Sequence, residues 1–226
     1  MIWDDVGFLL SKNRYNENSL ISEIYTKDHG KVTGIIFGGT SKRLKNYLQI
    51  GNKIHVNFNT KSEGRIGYFK TEIQEATSAL YFDNQQKLAC ISSGLNLVRI
   101  LSADSQKNKS IYDLLENFYD LLKNENWIKN YVYWELELFK ILGYDLDFKN
   151  LVSKQSIGNH LQYFSNSSIE KKIIPNFLVD KNNNYEDLGT LLKGFKIVGD
   201  YLDKTILKPN NLSHPNSRLY FINTLK

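Results

Sequence analysis

Five cations gather in one short stretch of the chain: Arg14, Lys31, Lys42, Arg43 and Lys45, with Tyr15 and Tyr47 beside them. Lys and Arg neutralise phosphate oxygens with little demand on geometry, and aromatic faces stack unpaired bases at about 1–3 kcal/mol each. These residue types together point to a polyanion, a nucleic acid first. Each member also has a plainer role, because surface lysines solubilise and tyrosines fill cores. The cluster as a whole carries the reading.

Other chemistries find less support. The four histidines, His29, His55, His160 and His214, form no His-x-His or His-x-x-x-His pair for a metal. Gly38-Gly39 lacks the Lys-Ser/Thr of a phosphate-binding loop, and no Gly-x-Ser-x-Gly elbow is present. Asp145 and Asp147 would share a face only in a strand, and a solvated turn is the simpler reading. Cys90, the one cysteine, falls on an apolar helical stretch, where a buried inert thiol is expected. Neither an enzyme nor a cofactor is expected, and no metal.

The elements that must position the cations come in two kinds. Residues 5–12, 19–26, 30–37, 53–59 and 66–75 read as strands, rich in β-branched and aromatic side chains or cleanly alternating. Asp28-His29-Gly30 supplies the turn between the second and third strands, and a basic loop holding Lys42, Arg43 and Lys45 follows Gly38-Gly39. Five short strands in about 75 residues fit a small closed barrel of OB type. An SH3-like barrel would give nearly the same string. Trp3 stands where it could cover an open barrel end.

Beyond residue 80 the apolar period changes to three and four. Helices are expected over 85–101, from Ser110 with Asp113 as a capping pair through Leu122, over 127–142 with Asn126 as cap and Gly143 as stop, over 185–206, and over 215–225. Residues 144–184 are the least periodic, with a short strand expected at 160–164 and a loop at Asn182–Asn184. The class is therefore α+β: a barrel domain over 1–80 and a mostly helical domain over 81–226.

Composition agrees with this reading. The 226 residues include 29 Lys/Arg and 24 Asp/Glu, for a net charge of +5. The first 80 residues hold 11 Lys/Arg against 8 Asp/Glu, so the excess is densest around the barrel. The opening residues show no secretory pattern, and no apolar run approaches the roughly 20 residues that span a bilayer. A cytoplasmic, nucleoid-associated protein without membrane contact is expected.

An ordered set of short motifs adds a resemblance. Tyr15, Glu17, Ser19 and Leu20, then Thr26, His29-Gly30-Lys31, Gly38-Gly39, Ser41-Lys42-Arg43 and Leu48-Gln49 resemble the N-terminal half of the RecO family of bacterial recombination mediators. Trp134-Glu135-Leu136, Leu142-Gly143-Tyr144, Leu146-Asp147-Phe148 and Pro215 with Arg218 continue the likeness through the second half. The resemblance implies an OB barrel that binds single-stranded and, less well, double-stranded DNA and anneals complementary strands without ATP. It implies a helical domain that docks the acidic, apolar C-terminal tail of the single-strand-binding protein, and a partner, RecR, with which the protein helps load RecA. Many family members carry a four-cysteine zinc site, and this chain lacks those residues. The family also often has an Arg where Val132 and Tyr133 stand, so Lys129 and Lys140 are the substitute cations for the tail. A reading from another class is an interaction scaffold with a rigid barrel and no DNA role.

Overall fold

The computed structural model describes all residues except 63, 158–159, 167–171 and 182–184. The expected loop at Asn182–Asn184 lies outside the described residues. By their contacts the described residues form two compact units.

The first unit comprises Met1–Tyr119, Pro215–Thr224 and Lys226. Its strands are β1 (Ile2–Arg14), β2 (Ser19–Thr26), β3 (Gly30–Phe37), β4 (Lys53–Asn59) and β5 (Gly67–Glu75), with helix α1 (Lys42–Tyr47) between β3 and β4. They close into a barrel in the order β1-β2-β3-β5-β4, with β4 pairing back to β1. All pairs are antiparallel except β3 with β5. This is the five-stranded Greek-key arrangement of the OB fold. β1 is longer than the expected 5–12 and bulges between Leu9 and Ser11, which bends it around the barrel.

Alternation explains the core. Ile24, Val32, Ile36, Ile54, Val56, Phe58 and Phe69 point inward, and all are buried. Gly34 and Gly67 are register partners at the parallel seam. A Cβ on Gly34 would come 2.5 Å from the Phe69 ring, and one on Gly67 would come 2.3 Å from Phe58. The two glycines thus make room for the two largest rings of the barrel interior.

Helices α2 (Gln85–Leu101), α3 (Lys109–Glu116) and α9 (Asn216–Thr224) belong to this same unit, so the compact units do not divide where strands give way to helices. Phe8 on the barrel's outer surface packs against Tyr112 and Tyr119, with ring centroids 5.8 and 6.2 Å away. α9 is joined to α2 through Gln85 to the Tyr220 hydroxyl at 2.8 Å, Gln86 to the Thr224 carbonyl at 2.9 Å and Asn96 to Ser217 at 3.0 Å. Cys90 is fully buried in α2. The helix expected from Ser110 through Leu122 is broken at Asn117 into α3 and α4 (Phe118–Lys123). Its cap is Asn108 rather than Ser110, because the Asn108 side chain accepts from the Ser110 and Ile111 amides.

The second unit comprises Asp120–His214 and Leu225. α5 (Trp127–Ile141) and α8 (Leu188–Tyr201) supply its core through Tyr131, Trp134, Phe139, Phe195 and Val198, all buried. Asn126 sits at the start of α5 without a side-chain cap bond, contrary to expectation, and Gly143 ends the region at φ +88°. Between these helices lie α6 (Phe148–Leu151), a small sheet of β6 (Val152–Ile157), β7 (His160–Ser165) and β8 (Ile173–Ile174), and α7 (Asn176–Val179). After α8 the chain continues as a π-helical segment, Leu202–Leu207. No helix among the described residues is long and apolar enough to cross a membrane.

Candidate nucleic-acid interface

Cross-strand partners share a face of a sheet. The register therefore lines up Asn13, Ile21, Ile35, Tyr68 and Asn59 in one row on the outside of the barrel. The next row toward α1 holds Ser19 and Phe37. Phe37 is 61% exposed, and its ring lies 5.8 Å from that of Tyr68 at 52°. Lys70, two residues beyond Tyr68 on β5, is exposed on the same side. A large exposed phenylalanine beside a tyrosine and two isoleucines forms an apolar platform on β2, β3 and β5.

The other half of this outer face is closed by the chain itself. Glu23 accepts from Arg99 of α2 and from Ser11 Oγ at 2.5 Å. The Tyr25 hydroxyl donates to the Asn108 carbonyl at 3.3 Å, and burial pushes its pKa up to about 12. Lys31 is corrected as a candidate phosphate contact. It is 8% exposed, and its Nζ donates to the Arg99 carbonyl at 2.7 Å and pairs with Asp104 at 3.2 Å. The segment after α2 also donates the Ser105 amide to the Lys31 carbonyl at 2.8 Å, which seals the strand beneath it.

The basic loop expected at 42–45 is the helix α1. Ser41 caps it, its Oγ accepting from the Leu44 amide at 3.4 Å. Leu44, Tyr47 and Leu48, at helical spacing, pack on the barrel core, so Lys42, Arg43 and Lys45 are turned to solvent. Gly38, at φ +69°, makes the turn that leads there. Thr40 Oγ1 donates to the Glu17 carbonyl at 3.0 Å, which brings the β1–β2 loop beside this turn. Arg14, the last residue of β1, and Tyr15, the first of that loop, are both exposed and thereby join the edge formed by α1. Tyr47 is corrected as a stacking residue. It is half-buried, packs on the core, and donates its hydroxyl to the Thr71 carbonyl at 2.7 Å.

Sequence reasoning missed three members. Phe37 and Tyr68 were legible in principle, since alternation through Lys31, Thr33 and Ile35 puts Phe37 on the outside. Lys12 also belongs here. Its Nζ donates to the Leu48 carbonyl at the end of α1. Burial and the neighbouring Lys45 charge lower its pKa.

In the second unit, Lys129 is corrected as a tail-docking cation. It is 2% exposed, part of the α5 interior. Lys140 is exposed and lines a groove of about 450 Å³ with Leu136, Phe148, Leu178 and Lys181. Four acids line the same groove, Glu137, Asp145, Asp147 and Asp180; of these, Asp147 caps α6 through the Lys149 amide at 3.0 Å, and Asp180 accepts from the Tyr163 hydroxyl.

Comparison with known proteins bears on this arrangement. The family model for the recombination protein O N-terminal region matches residues 1–76, the barrel and its strands. The model for the recombination protein O C-terminal region matches residues 84–184. The chain belongs to the RecO family. Family and relatives alike are named for DNA repair and recombination. The DNA repair protein RecO of Rhodospirillum centenum is 23% identical, over 98% of this chain and 94% of its own. That of Wolbachia pipientis wMel is 27% identical over 96% and 98%, and that of a Ruegeria species 29% identical over 73% and 68%. Entamoeba histolytica asparaginyl-tRNA synthetase overlaps 89% of this chain and 55% of its own with a TM-score of 0.28 at 9% identity, below what a shared fold requires.

Proposed function

We propose that this RecO family protein holds a DNA strand on the outer face of its barrel. The observation that carries the reading is the platform of exposed Phe37 and half-buried Tyr68, bordered by the solvent-turned cations of α1. Bases of a single strand stack on the platform, while Arg14, Lys42, Arg43, Lys45 and Lys70 neutralise phosphates. Tyr15 adds a second exposed ring at the edge. Duplex DNA offers phosphates but no free base faces, so it binds more weakly. Neutralising two strands lowers their mutual repulsion and lets complementary strands anneal without ATP. No step of this work needs bond chemistry, so the protein acts as a mediator and not as an enzyme.

The second unit serves partners. Lys140, with apolar Leu136, Phe148 and Leu178 beside it, suits the acidic, apolar tail of the single-strand-binding protein. With RecR as co-mediator, the protein helps RecA onto coated single strands. The test is anisotropy of labelled single-stranded and duplex oligonucleotides at low salt, followed by annealing of complementary strands. Binding with preference for the single strand, and faster annealing, support the reading. No binding to either at low salt overturns it, and an interaction scaffold without a DNA role takes its place.

A further inference from the structure

The outer row of the barrel continues past the platform onto β4 and β1. β4 sends Ile54, Val56 and Phe58 into the core, so Lys53, His55, Asn57 and Asn59 face outward. Asn59 is the register partner of Tyr68 on β5 and of Ile2 on β1. Directly opposed residues hold their Cβ atoms about 5 Å apart, so the Asn59 amide stands beside the Tyr68 ring. Phe37 flanks that ring from the β3 side, with centroids 5.8 Å apart. Tyr68 therefore has an aromatic neighbour on one side and an amide on the other.

The polar groups around Asn59 are already engaged, and its own amide is not. Asn57, two residues earlier on the same face, donates its amide to Asp4 at 3.1 Å, and Asp4 lies 3.9 Å from His55 Nε2. The N-terminal ammonium, beside Ile2, donates to the Thr60 carbonyl at 2.8 Å. The Asn59 side chain is half-exposed and makes no hydrogen bond among the described residues. Asn13, exposed at the other end of the row, is three strands from Tyr68, about 14 Å at the usual strand spacing and too far to share a base with it.

We infer that Asn59 reads the edge of the base stacked on Tyr68 and gives this face a preference for adenine at that place. The inference rests on the platform reading. Phosphate contacts and stacking carry little sequence information, so distinguishing one base from another needs a group that reaches a base edge. The Asn amide offers an acceptor oxygen and an NH₂ donor in one plane. That set matches adenine, whose N6 amine donates to the Asn oxygen while N7 accepts from the Asn nitrogen. Contact through N7 and one amine hydrogen leaves N1 and the other hydrogen free to pair with a complementary strand, so the contact is compatible with annealing.

The test is anisotropy of two labelled oligonucleotides of equal length and charge, at one pH and one ionic strength, with wild type, Asn59→Leu and Phe37→Ala. One is an oligodeoxyadenylate; the other is built from deoxynebularine, which has the purine ring of adenine without the N6 amine. Wild type is expected to bind the adenine oligonucleotide about fivefold tighter, the low end for one bidentate contact, as suits a half-exposed amide. Asn59→Leu keeps the size of the side chain and should bind both alike, at the affinity wild type shows for deoxynebularine. Phe37→Ala weakens binding of both and keeps the ratio, which separates failure of the edge contact from failure of the platform. A ratio near one in wild type that binds both, or an undiminished ratio in Asn59→Leu, overturns the role of Asn59 while leaving the platform standing. Should Asn59→Leu fail to fold, Asn59→Val, whose side chain favours a strand, serves the same comparison with the same two outcomes. No binding of either oligonucleotide by wild type overturns both readings.

Discussion

Replacing Lys42, Arg43 and Lys45 together by Ala gives the sharpest quantitative expectation for the cationic edge. The three side chains leave α1 on its solvent side and make no ion pair among the described residues, while Leu44, Tyr47 and Leu48 hold the helix to the barrel. Alanine favours helix, so folding should be unaffected. Each phosphate neutralised on a single strand contributes about 0.7 to the slope of log affinity against log salt. Losing three contacts makes the slope shallower by about 2. Between 50 and 200 mM salt, wild type should then lose roughly 20-fold more affinity than the triple variant. Anisotropy with a labelled oligothymidylate over that range reads the slope directly. An unchanged slope in a variant that melts like wild type would refute the placement of phosphate contacts on α1.

Three further outcomes are expected. Lys31→Met leaves the Arg99 carbonyl without its donor and should cost about 1 kcal/mol in urea unfolding, with no change in the salt slope of DNA binding. Lys140→Glu should weaken binding of an acidic, apolar tail peptide of the single-strand-binding protein by calorimetry, with oligothymidylate affinity unchanged; equal tail affinity would remove this groove from the account. Alkaline pH should destabilise the fold, because burial raises the Tyr25 pKa to about 12 and also raises that of Tyr119. An unfolded tyrosine ionises near pH 10. This stability is fully present below pH 10 and is lost as pH rises toward the folded values, by about 1.4 kcal/mol per pH unit per group. Urea midpoints at rising pH measure it, and Tyr25→Phe should fall less steeply.

The sequence was most legible where side-chain period and backbone demand coincide. The limits of β2, β3, β4 and α2 follow from alternation or helical stripes, and Trp134 and Cys90 lie in the core as their apolar neighbours require. Long-range covering was not legible. Lys31 has the sequence of an exposed strand cation, and the end of α2 with the segment after it, about 70 residues later, closes over it. Lys129 was misread because a lysine on a helix defaults to solvent, whereas α5 is buried on several sides. The α1 residues carry the marks of a loop, Gly38-Gly39 followed by three cations, and one turn of Leu44, Tyr47 and Leu48 is too short a stripe to announce a helix. Phe37 ends an apolar run, where an aromatic has the sequence context of a core residue, and only the strand's alternation sets it outside. The compact units depart from the change of pattern near residue 80 because Phe8 on the outside of the barrel needs Tyr112 and Tyr119 to cover it.

The central claim is that bases, and not phosphates alone, are held on the Phe37–Tyr68 platform. The most direct measurement compares an oligothymidylate with an abasic strand of the same length and charge, for wild type and Phe37→Ala/Tyr68→Ala. Wild type should prefer the strand with bases by about 1–3 kcal/mol per stacked base, and the double variant should bind both strands nearly alike. Equal binding of the two strands by wild type, or a full preference kept by the variant, would contradict the account.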